Sequence, residues 1–125
     1  MAKVLLLDDE PEILNLLSDE FKRLGHDVVT VRFPAKALEL LREEHNGFDL
    51  VVCDLVMPQK NGIDFVKELD FVRTFRGQVA FISSYVSTLD REIQDAGVKY
   101  VLKKPFTLDV LDTFIERIPL KMARV

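Results

Sequence analysis

One cysteine, Cys53, stands in a chain of 125 residues. No disulfide can form within the chain, and a reducing compartment is the simple expectation. No apolar stretch approaches the roughly 18–20 residues that a bilayer-spanning helix needs. The opening MAKVLLLDDE reaches acidic residues too early for the apolar core of a signal peptide. Basic residues are in deficit, since 17 Lys and Arg against 21 Asp and Glu give a formal net charge of −4. That balance argues against a nucleic-acid-binding surface, which is normally basic. Linkers, low-complexity stretches and sequence repeats are lacking too. These absences predict a soluble, cytoplasmic chain with no direct contact to nucleic acid or membrane.

What is present is an alternation. Hydrophobic residues make up 48% and charged residues 30%, a globular balance that at this length suits one compact domain. Short apolar runs at 4–7, 28–31, 50–53, 79–82 and 100–102 are rich in Val, Leu and Ile. Most are continuous rather than alternating, the pattern of parallel strands buried on both faces. Their starts lie 24, 22, 29 and 21 residues apart, room each time for a crossover helix. The first helix opens at Pro11 and runs to Leu24, where Gly25 stops it, with Ile13, Leu14, Leu17, Phe21 and Leu24 as its core stripe. A second spans 34–44 with Ala37, Leu38 and Leu41 inward, and a third runs from Gly62 to about Phe75. A short polar fourth covers 89–96, and Thr107 caps a fifth that ends before Pro119. The expected fold is α/β, a doubly wound (βα)5 flavodoxin-like three-layer sandwich.

In such folds ligands gather outside the carboxyl ends of the strands. Asp8 and Asp9 follow strand one, and Asp54 follows strand three. Strand four ends in Ser83 and Ser84, and strand five in Lys103 and Lys104. With a parallel sheet in the order 2-1-3-4-5, strands one and three are neighbours and three carboxylates meet in one crevice. Two unit charges ~5 Å apart at an effective dielectric of ~20 repel by about 3 kcal/mol. Three such pairs weigh on a domain whose whole stability is on the order of 5–15 kcal/mol. A divalent cation relieves the repulsion. Hard oxygen ligands with room for water favour Mg2+ or Mn2+ over zinc, and neither His26 nor His45 stands near a strand's carboxyl end. Taken alone, Asp8-Asp9-Glu10 also fits the plain role of acidic residues at the positive end of a helix. Glu10 is assigned only that role.

The stretch CDLVMPQKNG, residues 53–62, closes an apolar strand with an Asp, places Met57-Pro58 three residues on, and turns at Asn61-Gly62 before the next helix. With the acidic pair, the hydroxyl after strand four and the KPF at 104–106, it resembles the receiver domain of bacterial two-component response regulators. The likeness covers nearly the whole chain, and is specific because all four pieces stand in order on a (βα)5 frame. It implies that Asp54 is the phosphoacceptor nucleophile and forms an acyl phosphate. Asp9 would bind Mg2+ directly and Asp8 mainly through water, with Asp54 and the backbone carbonyl of Val56 completing the protein ligands. Lys104 would pair with one phosphoryl oxygen and the Ser83 hydroxyl with another. Ser84 would leave room over the phosphate by being small, Val56 and Tyr85 would flank the site, and Lys104-Pro105 would be a cis peptide. The implied partners are a sensor histidine kinase or phosphotransfer protein and a downstream protein.

The chain departs from the family at Val101, where an aromatic residue usually reports phosphorylation. Its own aromatic is Tyr100, one position earlier and on the other face by strand alternation, so the switch retains only its hydroxyl part at Ser83. The segment from Ser83 to Gly97 is about one residue short, which predicts an abbreviated fourth helix. Cys53 points away from Asp54 and belongs to the core. Lys103 reads as a solvated neighbour, His26 and His45 as loop or helix-end residues, and Phe65, Phe71 and Phe75 as packing residues.

The expected unit is a single receiver domain over 1–125, with a core of about 3–118 and a tail, 119–125, too short for an output domain. It is a signalling module that assists its own phosphorylation and dephosphorylation rather than an enzyme. Output then passes through another protein, or through a phosphorylation-linked homodimer built on the last helix, where Leu108, Leu111, Ile115 and Ile118 recur at helical spacing. Two alternatives remain. One is a pseudo-receiver that binds partners without phosphorylation. The other is a phosphatase with an aspartyl-phosphate intermediate, like the haloacid-dehalogenase-like enzymes. Those carry a second Asp two residues after the nucleophile, where this chain has Val56, which cannot transfer a proton.

Overall fold

The computed structural model describes residues 2–43, 47–72, 75–84 and 90–120. Strands and helices alternate as β1 (Lys3–Leu7), α1 (Pro11–Arg23), β2 (Asp27–Val31), α2 (Pro34–Leu41), β3 (Leu50–Asp54), α3 (Gly62–Leu69), β4 (Gln78–Ser83), α4 (Asp90–Asp95), β5 (Tyr100–Lys103) and α5 (Leu108–Arg117). The strands form one sheet in the order β2-β1-β3-β4-β5, and every pairing is parallel. This is the expected flavodoxin-like arrangement.

Strand alternation sends successive side chains to opposite faces, so the sheet builds two cores. Leu5, Leu7, Val51, Cys53 and Phe81 pack with Leu38, Leu41, Ile63, Phe65, Val66 and Ile93 of α2, α3 and α4. Val4, Leu6, Leu50, Val52, Ala80 and Leu102 pack with Leu14, Leu17 and Phe21 of α1 and Leu111, Phe114 and Ile115 of α5. Helices therefore cover both faces, which is why the inner strands β1 and β3 carry continuous apolar runs. Arg23 ties the two helices of the second layer together, its Nη2 lying 3.0 Å from Asp112 Oδ2 while its guanidinium also holds Glu20. No helix among the described residues is long and apolar enough to cross a membrane.

Local signals end the elements where the chain must turn. Gly25 follows α1 with φ +92 and donates its N–H to Lys22 O at 3.0 Å, a left-handed stop that glycine adopts without cost to a side chain. Asn61 caps α3 by accepting the Asp64 N–H at 2.8 Å, and Thr107 caps α5 by accepting the Val110 N–H at 3.3 Å.

Several expectations need correction. Helix α2 ends at Leu41 and α3 at Leu69, earlier than the residues 44 and 75 that the apolar spacing suggested; Glu44 lies outside the described residues. After α3 the N–H groups of Phe71 and Val72 bond Glu68 O and Leu69 O, three residues back. That tightens the chain into a turn, so the apolar residues at 71, 72 and 75 do not extend the helix. Phe65 is buried in the core, Phe75 packs at its margin, and Phe71 stands 87% exposed. Helix α4 is described over Asp90–Asp95, ending one residue before the expected 96, and Leu89, where it was expected to start, lies outside the described residues, as do Tyr85 and His45. His26 is no mere helix-end residue. It is buried, its Nδ1 accepts the Ala2 N–H at 3.2 Å, and its ring meets Phe21 edge-on at 5.8 Å. In α5, Leu111, Ile115 and Ile118 are core residues while Leu108 is exposed, so the stripe assigned to self-association already faces the protein's own sheet.

Candidate functional site at the carboxyl ends of the strands

Register decides which side chains meet. Leu7 pairs with Cys53 and Asp54 with Ile82, while Ser83 pairs with Lys103. Asp8, Asp54, Ser83 and Lys104 therefore emerge along one edge of the sheet. The backbone continues the alignment: Leu55 N–H bonds Ile82 O at 2.9 Å, and Lys104 N–H bonds Ser83 O at 2.7 Å.

Asp8 and Asp54 are buried, at 1% and 5% exposure. The Lys104 ammonium lies 3.2 Å from Asp8 Oδ2, 3.1 Å from Asp54 Oδ2 and 3.0 Å from Glu10 Oε1. The remaining oxygens of the two buried carboxylates accept backbone N–H groups: Asp8 Oδ1 from Glu10 at 2.8 Å, and Asp54 Oδ1 from Val56 at 3.0 Å. Asp9 is half-buried beside them. Oxygens of Asp8, Asp9, Glu10 and Asp54 all lie within 4.8 Å of one another. Four carboxylates cluster here and the one ammonium meets three of them, so the cluster carries an excess of negative charge that a cation could neutralise.

The electrostatics follow from burial. Burial pushes the Asp8 carboxyl up to about 6, with the Asp54 charge adding to it and the Glu10 N–H and Lys104 opposing it. For Lys104, burial works against the charged form. Hydrogen bonds to Glu10 and then Asp54, with the charges of Asp54 and Asp8, overcome it and hold the ammonium well above the usual lysine range. Cys53 lies on the opposite face within the core, its thiol raised far above the ordinary range by burial, and Sγ donates to the Asp54 carbonyl oxygen at 3.2 Å.

Ser83 is buried at the end of β4, Ser84 is exposed, and Val56 stands 62% exposed in the loop after Asp54. The Lys104-Pro105 peptide is cis. Val101 packs toward α2, α3 and α4, whereas Tyr100 packs toward α1 and α5. The chain's aromatic is thus on the other face from Val101, as strand alternation predicted.

Three contributors escaped the sequence reading. The Glu10 side chain reaches Lys104 instead of serving only the start of α1. Arg32, which follows β2, donates from Nη2 to the Asp9 carbonyl oxygen at 3.2 Å. Examining the end of strand two as closely as the others would have found it. Gly62 donates its N–H to Leu55 O at 2.7 Å, and a Cβ there would sit 3.0 Å from Asp54 O, Leu55 Cα and Phe81 Cε1. The NG pair signals a turn, but only the packing reveals that α3 starts against the backbone of Asp54.

This geometry agrees with the likeness to known proteins. The family model described as response regulator receiver domain matches residues 4–116. The chain is 36% identical over 107 residues to the transcriptional regulatory protein CpxR of Escherichia coli (strain K12), an alignment covering 85% of this chain and 44% of that protein. It is 31% identical over 110 residues to the response regulator SaeR of Staphylococcus aureus (strain USA300), covering 86% of this chain and 46% of that one. The chain thus spans less than half the length of either relative. The structure of the chemotaxis response regulator CheY4 of Vibrio cholerae superposes with a TM-score of 0.85 at 27% identity, covering 94% of this chain and 98% of that chain. The chain belongs to the response regulator receiver domain family of two-component signalling proteins.

Proposed function

We propose that the chain accepts a phosphoryl group on Asp54 from the phosphohistidine of a sensor histidine kinase or phosphotransfer protein. It then signals through a changed affinity for another protein. The observation that carries this reading is Lys104 Nζ lying 3.1 Å from the buried Asp54 carboxylate, inside a cluster of three further carboxylates. A surface ion pair would not need three acids around one base.

An oxygen of Asp54 attacks the donor phosphorus, the P–N bond to the donor imidazole breaks, and the imidazole leaves with a proton from solvent. The acyl phosphate carries more negative charge than the carboxylate it replaces. Lys104 meets that charge as a cation already at hand. The buried Ser83 and the small Ser84 stand at the adjacent strand end, where a hydroxyl can bond a phosphoryl oxygen and a short side chain leaves room for it. The Val56 N–H keeps the Asp54 carboxylate in one orientation. Val56, in the loop after Asp54, bears on access of water to the acyl phosphate.

The donor set fits a hard divalent cation, Mg2+ or Mn2+: only carboxylate oxygens, close together, two of them buried. Asp8, Asp9, Asp54 and the carbonyl of Val56 would hold it. When bound, such an ion supplies charge neutralisation for the incoming phosphoryl oxygens. The same reading makes the cytoplasm the site of action.

Incubation with acetyl phosphate and Mg2+, followed by intact-protein mass measurement, tests the reading. Wild type should gain one phosphoryl group and Asp54→Asn none; a wild type that takes up none overturns it. Val101 in place of the switch aromatic favours a second reading, a pseudo-receiver that binds without phosphorylation. Partner binding unchanged by Asp54→Asn and by phosphorylation would select it.

A further inference from the structure

The three carboxylates around Lys104 differ in kind. Asp8 and Asp54 are buried and each is also fixed by a backbone N–H. The Glu10 side chain is 58% exposed, makes no capping bond at the start of α1, and meets Lys104 at 3.0 Å. An ammonium has three N–H donors, and here each has its own carboxylate. The two buried acceptors belong to the site that a cation and a phosphoryl group would occupy, and Glu10 stands at its solvent edge.

We propose that Glu10 is a resting partner for Lys104, one that holds the ammonium beside Asp54 in the unmodified protein and competes with the phosphoryl group for it. The inference rests on Asp54 being the phosphoacceptor. Once Asp8 and Asp54 turn their oxygens to a cation and a phosphoryl group, Lys104 must exchange partners. The phosphoryl group brings more charge and more acceptor oxygens than the Asp54 carboxylate did. Glu10, wet and on a flexible side chain, is the partner that can let go at low cost, since water readily takes over an exposed carboxylate. The competition is therefore mild, a matter of a few-fold. It makes Glu10 a positioning residue that sets how readily the modified state forms, not a ligand of the phosphoryl group.

Loss of a negative charge near the site would also favour an anionic ligand, so the test separates reach from charge. Beryllofluoride serves as the phosphoryl mimic, titrated at saturating Mg2+ on wild type, Glu10→Gln and Glu10→Asp, each with Lys104 and with Lys104→Met. Asp keeps the charge but is one methylene shorter and draws back from Lys104. Both Glu10 variants should bind the mimic about 2–5-fold tighter, and neither gain should survive in Lys104→Met. Tightening by Gln but not Asp would reduce the effect to charge and overturn the proposal. So would a gain that persists without Lys104, an unchanged affinity, or a loss of Mg2+ affinity in both variants, which would make Glu10 a metal ligand. Should Lys104→Met bind too weakly to titrate, the comparison of Gln with Asp decides by itself. A wild type that takes no phosphoryl group from acetyl phosphate fails by a separate observation and removes the parent reading along with this one.

Discussion

Asp8 and Asp54, at the carboxyl ends of the neighbouring strands β1 and β3, grip Lys104 in the same manner. Each gives one carboxylate oxygen to the backbone N–H two residues further on and the other to the lysine ammonium, at 3.2 and 3.1 Å. The local motif is an Asx turn, repeated at two strand ends and joined through one cation. In the unmodified protein the backbone N–H groups orient both carboxylates, and the ammonium between them relieves their mutual repulsion.

That arrangement makes Lys104 a structural as well as a chemical residue. Lys104→Met leaves Asp8 and Asp54 buried without their cation, and removal of one partner of a buried pair costs on the order of 3 kcal/mol. Urea unfolding in EDTA should show a loss of about 1–3 kcal/mol, the smaller end reflecting the solvent-exposed rim of the cluster. Mg2+ should restore part of it, because the ion replaces the missing charge.

Millimolar Mg2+ should raise the melting temperature of the wild-type chain. A ligand that binds only the folded state stabilises it by about 2.7 kcal/mol at a hundredfold excess over its dissociation constant. Asp9→Ala should abolish most of that gain while leaving the melting temperature in EDTA near or above that of wild type, since one repelling charge has gone. An equal Mg2+ response in the two proteins would remove Asp9 from the donor set.

Acidification should stabilise the metal-free protein over a defined window. Burial raises Asp8 to about 6 in the folded state, whereas an unfolded Asp titrates near ~3.9. The folded chain therefore takes up a proton first as pH falls. The Asp8 contribution is fully present below the unfolded value and is lost as pH rises through about 6. Unfolding midpoints in EDTA should rise between pH ~7 and ~5, and Asp8→Asn should flatten that slope. Mg2+ binding should weaken over the same window, since the proton and the metal compete for Asp8.

Gly62→Ala should disturb the site from behind. The added methyl would press within 3.0 Å of the Asp54 carbonyl oxygen, the Leu55 Cα and the Phe81 ring, and two of those three belong to backbone. Overpacking of this kind typically costs about 1–3 kcal/mol. A melting curve measures the loss, and the Mg2+ affinity measured alongside should fall because the Asp54 backbone has shifted.

The alternation of apolar runs and amphipathic segments determined, from sequence alone, that this chain forms a parallel sheet with helices on both faces. Strand periodicity also placed Cys53 and Tyr100 on their correct faces, since alternation is a property of the local backbone. The acids after strands one and three and the lysine after strand five were legible because this fold collects chemistry at strand ends. Helix ends were less so: apolar residues past Leu69 read as more helix, yet they form a turn whose inner residue, Val72, packs into the core. The spaced leucines and isoleucines of the last helix looked available for a partner, and only the packed sheet shows that Leu111, Ile115 and Ile118 are already covered while Leu108 is exposed. Tertiary structure alone decided that Glu10 faces Lys104, that Arg32 holds the Asp9 carbonyl, that His26 takes the Ala2 N–H, and that Gly62 lies against Asp54. The physical reason is common to all four. Periodicity reports which face a residue occupies, while a contact between distant residues depends on strand register and side-chain reach, which no local pattern encodes.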